Sequence, residues 1–68
     1  MESGNSSGAE REYREALAID SSLPEAHLGL GMLLMRSGRM TDARTHLQIA
    51  AAKGDPDIRK AALNALSK

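Results

Sequence analysis

The sequence predicts an all-α fold built from antiparallel helix–turn–helix units, and three observations lead to it. Apolar residues recur at helical spacing from Ala9 onwards, and the period-two alternation typical of strands is absent. Capping and turn residues interrupt the helical pattern at three places. The composition is rich in helix-forming Ala, Leu, Glu and Arg and holds a single aromatic residue, Tyr13. With 68 residues, the chain has room for one small domain.

Residues 1–8, "MESGNSSG", differ in composition from the rest of the chain. They are rich in Gly, Ser and Asn, and such a segment buries too little apolar surface to offset the entropy lost on ordering. We therefore expect residues 1–8 to be a flexible leader or a cloning-derived tail, and residues 9–68 to form the helical domain. The first helix is predicted from Ala9 to Ile19, with Tyr13, Ala16 and Leu17 on the same face as Ala9.

The second helix is predicted from about Leu23 to Arg36. Ser22 and Glu25 have the spacing of a capping box, in which each side chain accepts a hydrogen bond from a backbone N–H at the start of a helix. Pro24 suits the first turn, where no N–H donor is needed. Gly38 is placed to end the helix in a left-handed conformation.

Two further helices follow. Thr41 or Asp42 can cap a third helix that ends near Lys53, where Gly54 interrupts the pattern. The sequence "DPD" at residues 55–57 then supplies a capping Asp, a Pro at the first helical position and an acidic residue in the first turn. The fourth helix is predicted to run to about residue 66.

The small and large residues of the first helix recur at one constant interval in the third helix. The pairs are Ala9 with Ala43, Tyr13 with Leu47, and Ala16 with Ala50. With this period, the stretches "YREALAID" and "PEAHLGLGMLLMRSGRMTDARTHLQIAAAKGDP" resemble the tetratricopeptide repeat, whose helix–turn–helix unit has the same period. The residues at the family's structural positions are Tyr13, Ala16, Leu30, Gly31, Leu34, Gly38, Ala43, Leu47 and Ala50.

The resemblance covers about residues 9–57, which is half a repeat followed by one full repeat, and it implies that residues 58–68 form a capping helix. The small residues of the pattern let two helix backbones approach closely, and the large ones fill the grooves between them. Three positions depart from the family pattern. His27 stands at the tryptophan position, Met40 replaces the turn aromatic, and Ser21 replaces a proline.

The second helix is apolar on two sides. His27, Leu30, Gly31 and Leu34 form a stripe that should pack on the partner helix of the same repeat. A second stripe is displaced around the helix, and the resemblance places it on the concave groove where family members bind peptides or helices. The predicted groove residues are Leu28, Met32 and Met35, with Glu25 and Arg36 beside them.

Two interpretations of this second stripe stay open. One is that a neighbouring helix covers it, either the fourth helix or a helix of another copy of the chain. The other is that it is a groove for an apolar helix or extended segment of a partner. The two are compatible, because a surface that binds a partner can also self-associate. Family members that bind acidic C-terminal peptides use Lys, Asn and Arg on this face. Leu28, Gly29 and Met32 stand at the corresponding places here, which argues against such a ligand.

Composition argues against several other functions. Nine basic and nine acidic residues give a net charge of zero, and one aromatic residue offers no stacking platform, so we expect no nucleic-acid binding. The longest apolar run, residues 32–35, is too short for a membrane span. No basic segment followed by an apolar core marks a signal peptide, so we expect a cytoplasmic location.

We also expect no catalytic residues, no metal and no cofactor. There is no cysteine, and the two histidines, His27 and His46, are too few and too far apart in sequence for a zinc motif. Gly29 and Gly31 lie within a helix with no strand before them, unlike a phosphate-binding loop. Asp42 and His46 have i,i+4 spacing, which predicts a contact on a helix surface.

These observations predict a non-catalytic protein–protein interaction module. It presents an apolar helix face to a protein or peptide partner, or to another copy of itself in a homodimer. The alternative is a structural or regulatory C-terminal tail of a larger enzyme or assembly, with no recognition role of its own. Because repeat arrays normally need three or more units for stability, we expect either a piece of a longer protein or a unit that dimerises.

Overall fold

A computed structural model describes the backbone of residues 3–67 and the side chains of residues 8–67. This part of the chain forms four α-helices: α1 (Ser3–Ile19), α2 (Pro24–Arg36), α3 (Met40–Lys53) and α4 (Pro56–Leu66). Each helix packs on the next, and α4 also contacts α2. The short connections make neighbouring helices antiparallel, and the predicted all-α fold is confirmed.

Helix α1 begins at Ser3, well before the predicted start at Ala9. The structure therefore gives helical backbone to residues 3–8, which the composition assigns to a flexible leader. Met1 and Glu2, the first two residues of that leader, lie outside the described residues. A Cβ added at Gly8 would meet no atom within 4 Å, so no described side chain packs against this position. The flexibility of residues 3–8 stays a prediction.

The turn between α1 and α2 is closed by Asp20, and the capping box predicted for Ser22 and Glu25 is wrong. The Asp20 carboxylate accepts hydrogen bonds from the Ser22 N–H at 3.1 Å and from the Ser22 hydroxyl at 2.9 Å. These bonds hold the pKa of Asp20 below its ordinary value. The N-cap of α2 is Leu23, whose apolar side chain has no acceptor for a capping bond. Ser22 lies one residue before this position and is held by Asp20.

The turn between α2 and α3 confirms the prediction for Gly38, whose φ of 83° lies in the left-handed region. The Arg39 N–H then donates to the Leu34 carbonyl at 2.9 Å. This tight turn lets α3 begin at Met40, with Arg39 as its N-cap and no side-chain capping bond. The prediction that Thr41 or Asp42 caps α3 is therefore wrong.

The start of α4 follows its sequence signals. The Asp55 side chain accepts a hydrogen bond from the Ile58 N–H at 2.9 Å, and Pro56 occupies the first helical position. This satisfies one of the backbone donors that a helix leaves without a partner in its first turn. The cap therefore fixes the point at which the chain enters α4.

Replacing Asp55 tests this cap. We expect Asp55→Ala to lower the free energy of unfolding by about 1 kcal/mol, because a donor of α4 loses its acceptor. Asp55→Asn removes the same charge but keeps an acceptor oxygen, and it should retain most of the stability. Urea unfolding followed by circular dichroism measures both. An Asp55→Ala variant as stable as the parent would contradict the cap.

The core lies between α2, α3 and α4. The largest fully buried side chains are Leu30, Leu34 and Leu47. At Gly31, an added Cβ would lie 2.7 Å from the Leu47 Cγ and 3.2 Å from the Ala43 carbonyl oxygen. The backbones of α2 and α3 approach closely at this glycine, as the small–large pattern predicts.

The two copies of the repeated stripe differ in burial. Ala43, Leu47 and Ala50 on α3 are at most 1% exposed. Their counterparts on α1, one repeat period earlier, are only half-buried: Ala9, Tyr13 and Ala16. The difference arises because α3 lies between α2 and α4, whereas α1 contacts α2 alone among the described helices.

Candidate functional site

An open groove runs along α2, between α1 on one side and α4 on the other. Its larger part, about 420 Å³, has walls from all three helices, and an adjoining part of about 280 Å³ lies between α2 and α4. Both parts are lined by Met32, Arg36 and Ala61, so they form one continuous depression. The remaining lining residues are Ala9, Tyr13, Glu25, Leu28, Gly29, Leu33, Met35, Asn64 and Ala65.

The structure brings all five predicted groove residues to this surface. Met32 is 46% exposed, which is unusual for a large apolar side chain. Leu28 and Met35 are half-buried beside it, and Glu25 and Arg36 are exposed. The helical rise from residue 25 to residue 36 places their Cα atoms about 16 Å apart along α2. The two ion pairs between described side chains, Glu10–Arg14 and Arg39–Asp42, involve none of these residues. That a partner binds here stays a prediction.

The fourth helix covers the second apolar stripe only in part. Met35 packs against the buried cluster formed by Leu30, Leu34 and Ala43. Facing this part of α2, α4 contributes the small side chains Ala61 and Ala65 to the groove walls. Small residues cannot cover a methionine fully, so Met32 keeps nearly half of its surface in solvent.

The sequence did not identify Tyr13 and Ala61 as groove residues, because it assigned Tyr13 to the packing of the repeat. An added Cβ at Gly29 would overlap the Tyr13 ring. The ring therefore lies directly over the backbone of α2 and forms one wall of the groove. Gly29 is half-buried beneath the ring. A glycine inside a helix was the available signal, since it marks a place where another group comes close.

The contact predicted between Asp42 and His46 is replaced by other partners. The Asp42 carboxylate lies 3.5 Å from the Arg39 guanidinium. His46 instead contacts His27 across the α2–α3 interface, with 3.0 Å between the two Nδ1 atoms. Among the described residues there is no group of three or more His, Cys, Asp or Glu side chains that could hold a metal ion.

His46 has a perturbed proton affinity. Burial lowers the pKa of His46 from its ordinary value, and the nearby His27 and Arg14 lower it further, while Asp42 opposes them. His27 is 5% exposed. Neither ring lines the groove, so the histidines are not part of this site.

No helix within residues 3–67 combines the length and apolar character needed to cross a lipid bilayer. A family model described as tetratricopeptide repeat matches residues 1–66, which is nearly the whole chain. No curated protein and no solved structure gives a match.

Proposed function

The chain belongs to the tetratricopeptide repeat family, and from that premise we propose that it is a non-catalytic module that binds a protein or peptide in the groove along α2. Helical repeats of this kind generally provide concave surfaces for protein partners. The observation that carries the proposal is Met32, which lies in the groove with 46% of its surface exposed.

The lining of the groove indicates the chemistry of the partner. Leu28, Met32 and Met35 offer apolar area, and flexible methionine side chains can adapt to ligands of different shape. The partner we propose is therefore an apolar face of a helix or an extended apolar segment. A span of about 16 Å between Glu25 and Arg36 suits roughly three turns of a helix. A basic group near Glu25 and an acidic group near Arg36 would fix the orientation of that segment.

A matched pair of methionines tests the groove. Met32 and Met40 are 46% and 45% exposed, but Met40 does not line the groove. Peptides are first selected from a random library on the immobilised parent chain. Binding of the selected peptides should then fall more than tenfold in Met32→Lys, because the lysine ammonium resists burial against an apolar ligand. Met40→Lys should bind them as the parent does.

Three results would count against the groove: no binders from the library, binding unaffected by Met32→Lys, or equal loss in Met40→Lys. The double variant Leu28→Asp with Met32→Lys separates recognition from packing. Retained helicity with lost binding supports a groove. Loss of the fold favours the second interpretation, a structural or regulatory tail in which this stripe is ordinary core.

We also propose that the chain can form a homodimer through the same surface, since a second copy can cover exposed apolar area. Sedimentation of the parent and the two lysine variants measures self-association, separately from peptide binding. Self-association that Met32→Lys abolishes and Met40→Lys retains supports it. A parent chain that stays monomeric at high concentration rejects the homodimer and leaves the peptide result to stand on its own.

A further inference from the structure

The two histidines join three segments of the chain. His27 lies on α2 and His46 on α3, and their Nδ1 atoms are 3.0 Å apart. The Nε2 atom of His27 lies 2.8 Å from the Ser21 carbonyl oxygen, in the turn between α1 and α2. A nearly buried ring therefore bonds to a neighbouring helix at one nitrogen and to a turn at the other. The spacing of the two histidines along the sequence gave no sign of this contact.

The rings meet edge to edge. Their centroids are 5.2 Å apart, which is close to the 3.0 Å between the nitrogens plus the radii of two imidazole rings. The two Nδ1 atoms thus lie near the line that joins the rings, although the ring planes differ by only 28°. Two nitrogens bound to one tetrahedral zinc ion stand about 3.3 Å apart, with their lone pairs converging at an angle. Here the two Nδ1 atoms face each other along the line between the rings, which fits one N–H···N hydrogen bond.

The partners determine where the protons lie. A carbonyl oxygen only accepts, so the Nε2 atom of His27 carries a hydrogen and donates it to the Ser21 carbonyl. In neutral His27 the Nδ1 atom then has a lone pair. The Nδ1 atom of His46 must carry the hydrogen that this lone pair accepts. Every nitrogen in the contact is satisfied in this arrangement.

We propose that His27 and His46 form a one-proton clamp, which holds α2, α3 and the α1–α2 turn together at neutral pH and releases them in acid. A first added proton can go to the Nε2 atom of His46 without breaking either bond. A second would go to the Nδ1 atom of His27, where it would face the N–H of His46. The clamp therefore tolerates one positive charge and opens when it must carry two.

The charged surroundings favour the neutral clamp. The groups that face His46 are Arg14 from α1, His27 from α2 and Asp42 from α3. Burial, His27 and Arg14 all lower the pKa of His46, and Asp42 alone raises it. The folded chain thus holds protons less readily than the unfolded chain. Its stability is full above the ordinary histidine pKa of 6.5 and is lost as the pH falls through the lower value of the folded state.

Opening of the clamp would change the shape of the groove, because it would release the turn between α1 and α2. The bond to Ser21 fixes the chain between α1 and α2, and these helices carry the Tyr13 ring and the Gly29 backbone that it covers. Neither histidine lines the groove, so the clamp can form whether or not a partner is bound. The test below therefore needs no peptide, and its failure would leave the proposed function untouched.

Nitrogen NMR of the histidine rings in the whole chain tests the proton positions directly. At pH 7.5 we expect neutral His27 with its hydrogen on Nε2 and neutral His46 with its hydrogen on Nδ1. On acidification the pair should take up one proton while both contacts of His27 persist, and a second proton only as the helices unfold. A hydrogen on Nε2 of His46 while both rings are neutral, or two positively charged rings in the folded chain, would overturn the proposal.

Urea unfolding at pH 7.5 and pH 5.0 provides the second readout. The parent should show a lower urea midpoint at pH 5.0, and His46→Gln should show a smaller difference between the two pH values. Asp42→Asn is the matched control, because it removes the one charge that favours protonated His46. It should move the His46 titration to lower pH and leave the His27 hydrogen on Nε2. An unchanged pH dependence in His46→Gln contradicts the clamp, and if that variant does not fold, the NMR result on the parent decides.

Discussion

Leu30→Ala is expected to leave the chain largely unfolded in water. The Leu30 side chain is fully buried in a cluster with Leu34 and Ala43, and Tyr13 and Leu17 of α1 pack against this cluster. Removing a buried leucine to its Cβ costs about 2–5 kcal/mol, because the cavity does not close. A core of this size supplies only about 3–5 kcal/mol in total. The measurement is the helical circular dichroism signal and its response to urea, and we expect most of the signal and the cooperative transition to disappear.

Met32→Ala on the same helix is the control for this prediction. Met32 is 46% exposed, so its truncation removes little buried area and should cost less than about 1 kcal/mol. The variant should stay folded and, if the proposed groove is real, bind selected peptides more weakly. A cooperative transition in Leu30→Ala close to that of the parent would show that the core does not depend on the α2–α3 contact.

Gly31→Ala has the second large effect that we expect, a loss of about 1–3 kcal/mol from overpacking. In a helix that is free of neighbours, Gly→Ala stabilises by about 0.5–1 kcal/mol, so the predicted sign is opposite to the local preference. The added methyl group would lie 2.7 Å from the Leu47 Cγ and 2.9 Å from its Cδ2. Leu47 is 1% exposed, and the backbone carbonyl oxygen of Ala43 would lie 3.2 Å from the same methyl group. The α2 and α3 backbones would have to separate.

Gly29→Ala, two positions earlier, is the matched comparison. Its methyl group would overlap the far end of the Tyr13 ring, which is only half-buried and can swing outwards. We expect stability within about 1 kcal/mol of the parent and a displaced Tyr13, seen as a change in tyrosine fluorescence. Urea midpoints of the two variants decide the matter. Equal losses would mean that the α2–α3 interface is no tighter than the contact with α1.

The sequence predicted the helix boundaries well where a boundary depends on local chemistry. Gly38 can adopt a left-handed conformation at little cost, and Asp55 followed by Pro56 can begin a helix wherever the pair occurs. These preferences act over a short stretch of chain, so no tertiary contact is needed to infer them. The predicted ends of α2, α3 and α4 are accordingly close to the observed ones.

The predictions were wrong where a side chain had a choice of partners. Ser22 fits a capping box on paper, but Asp20 lies closer and takes both of its donors. His46 fits a contact with Asp42, but the packing of α2 on α3 gives it His27 instead. In each case the sequence names a group that can bond. Which partner that group bonds to depends on the turn geometry in the case of Ser22, and on the packing of α2 against α3 in the case of His46.

The residues of the candidate site divide in the same way, into those that the local sequence places and those that depend on how the helices pack. Its five predicted residues lie on α2, so helical periodicity alone is enough to place them on one side. Tyr13 and Ala61 come from α1 and α4, and their presence depends on the angles at which those helices cross α2. Sequence periodicity carries no information about such angles when the neighbouring helices are short.

Two adjacent alanines on α4 lie in different surroundings, and this bears on which substitutions the chain could accept. Ala62 is fully enclosed and tolerates no added bulk, whereas Ala61 is half-buried and borders the groove. A larger residue at position 61 would narrow the aperture while the interior contacts of its neighbour stay as they are. If the proposed groove binds a ligand, its fit to that ligand and the packing of the core can therefore change independently, through neighbouring residues of one helical turn.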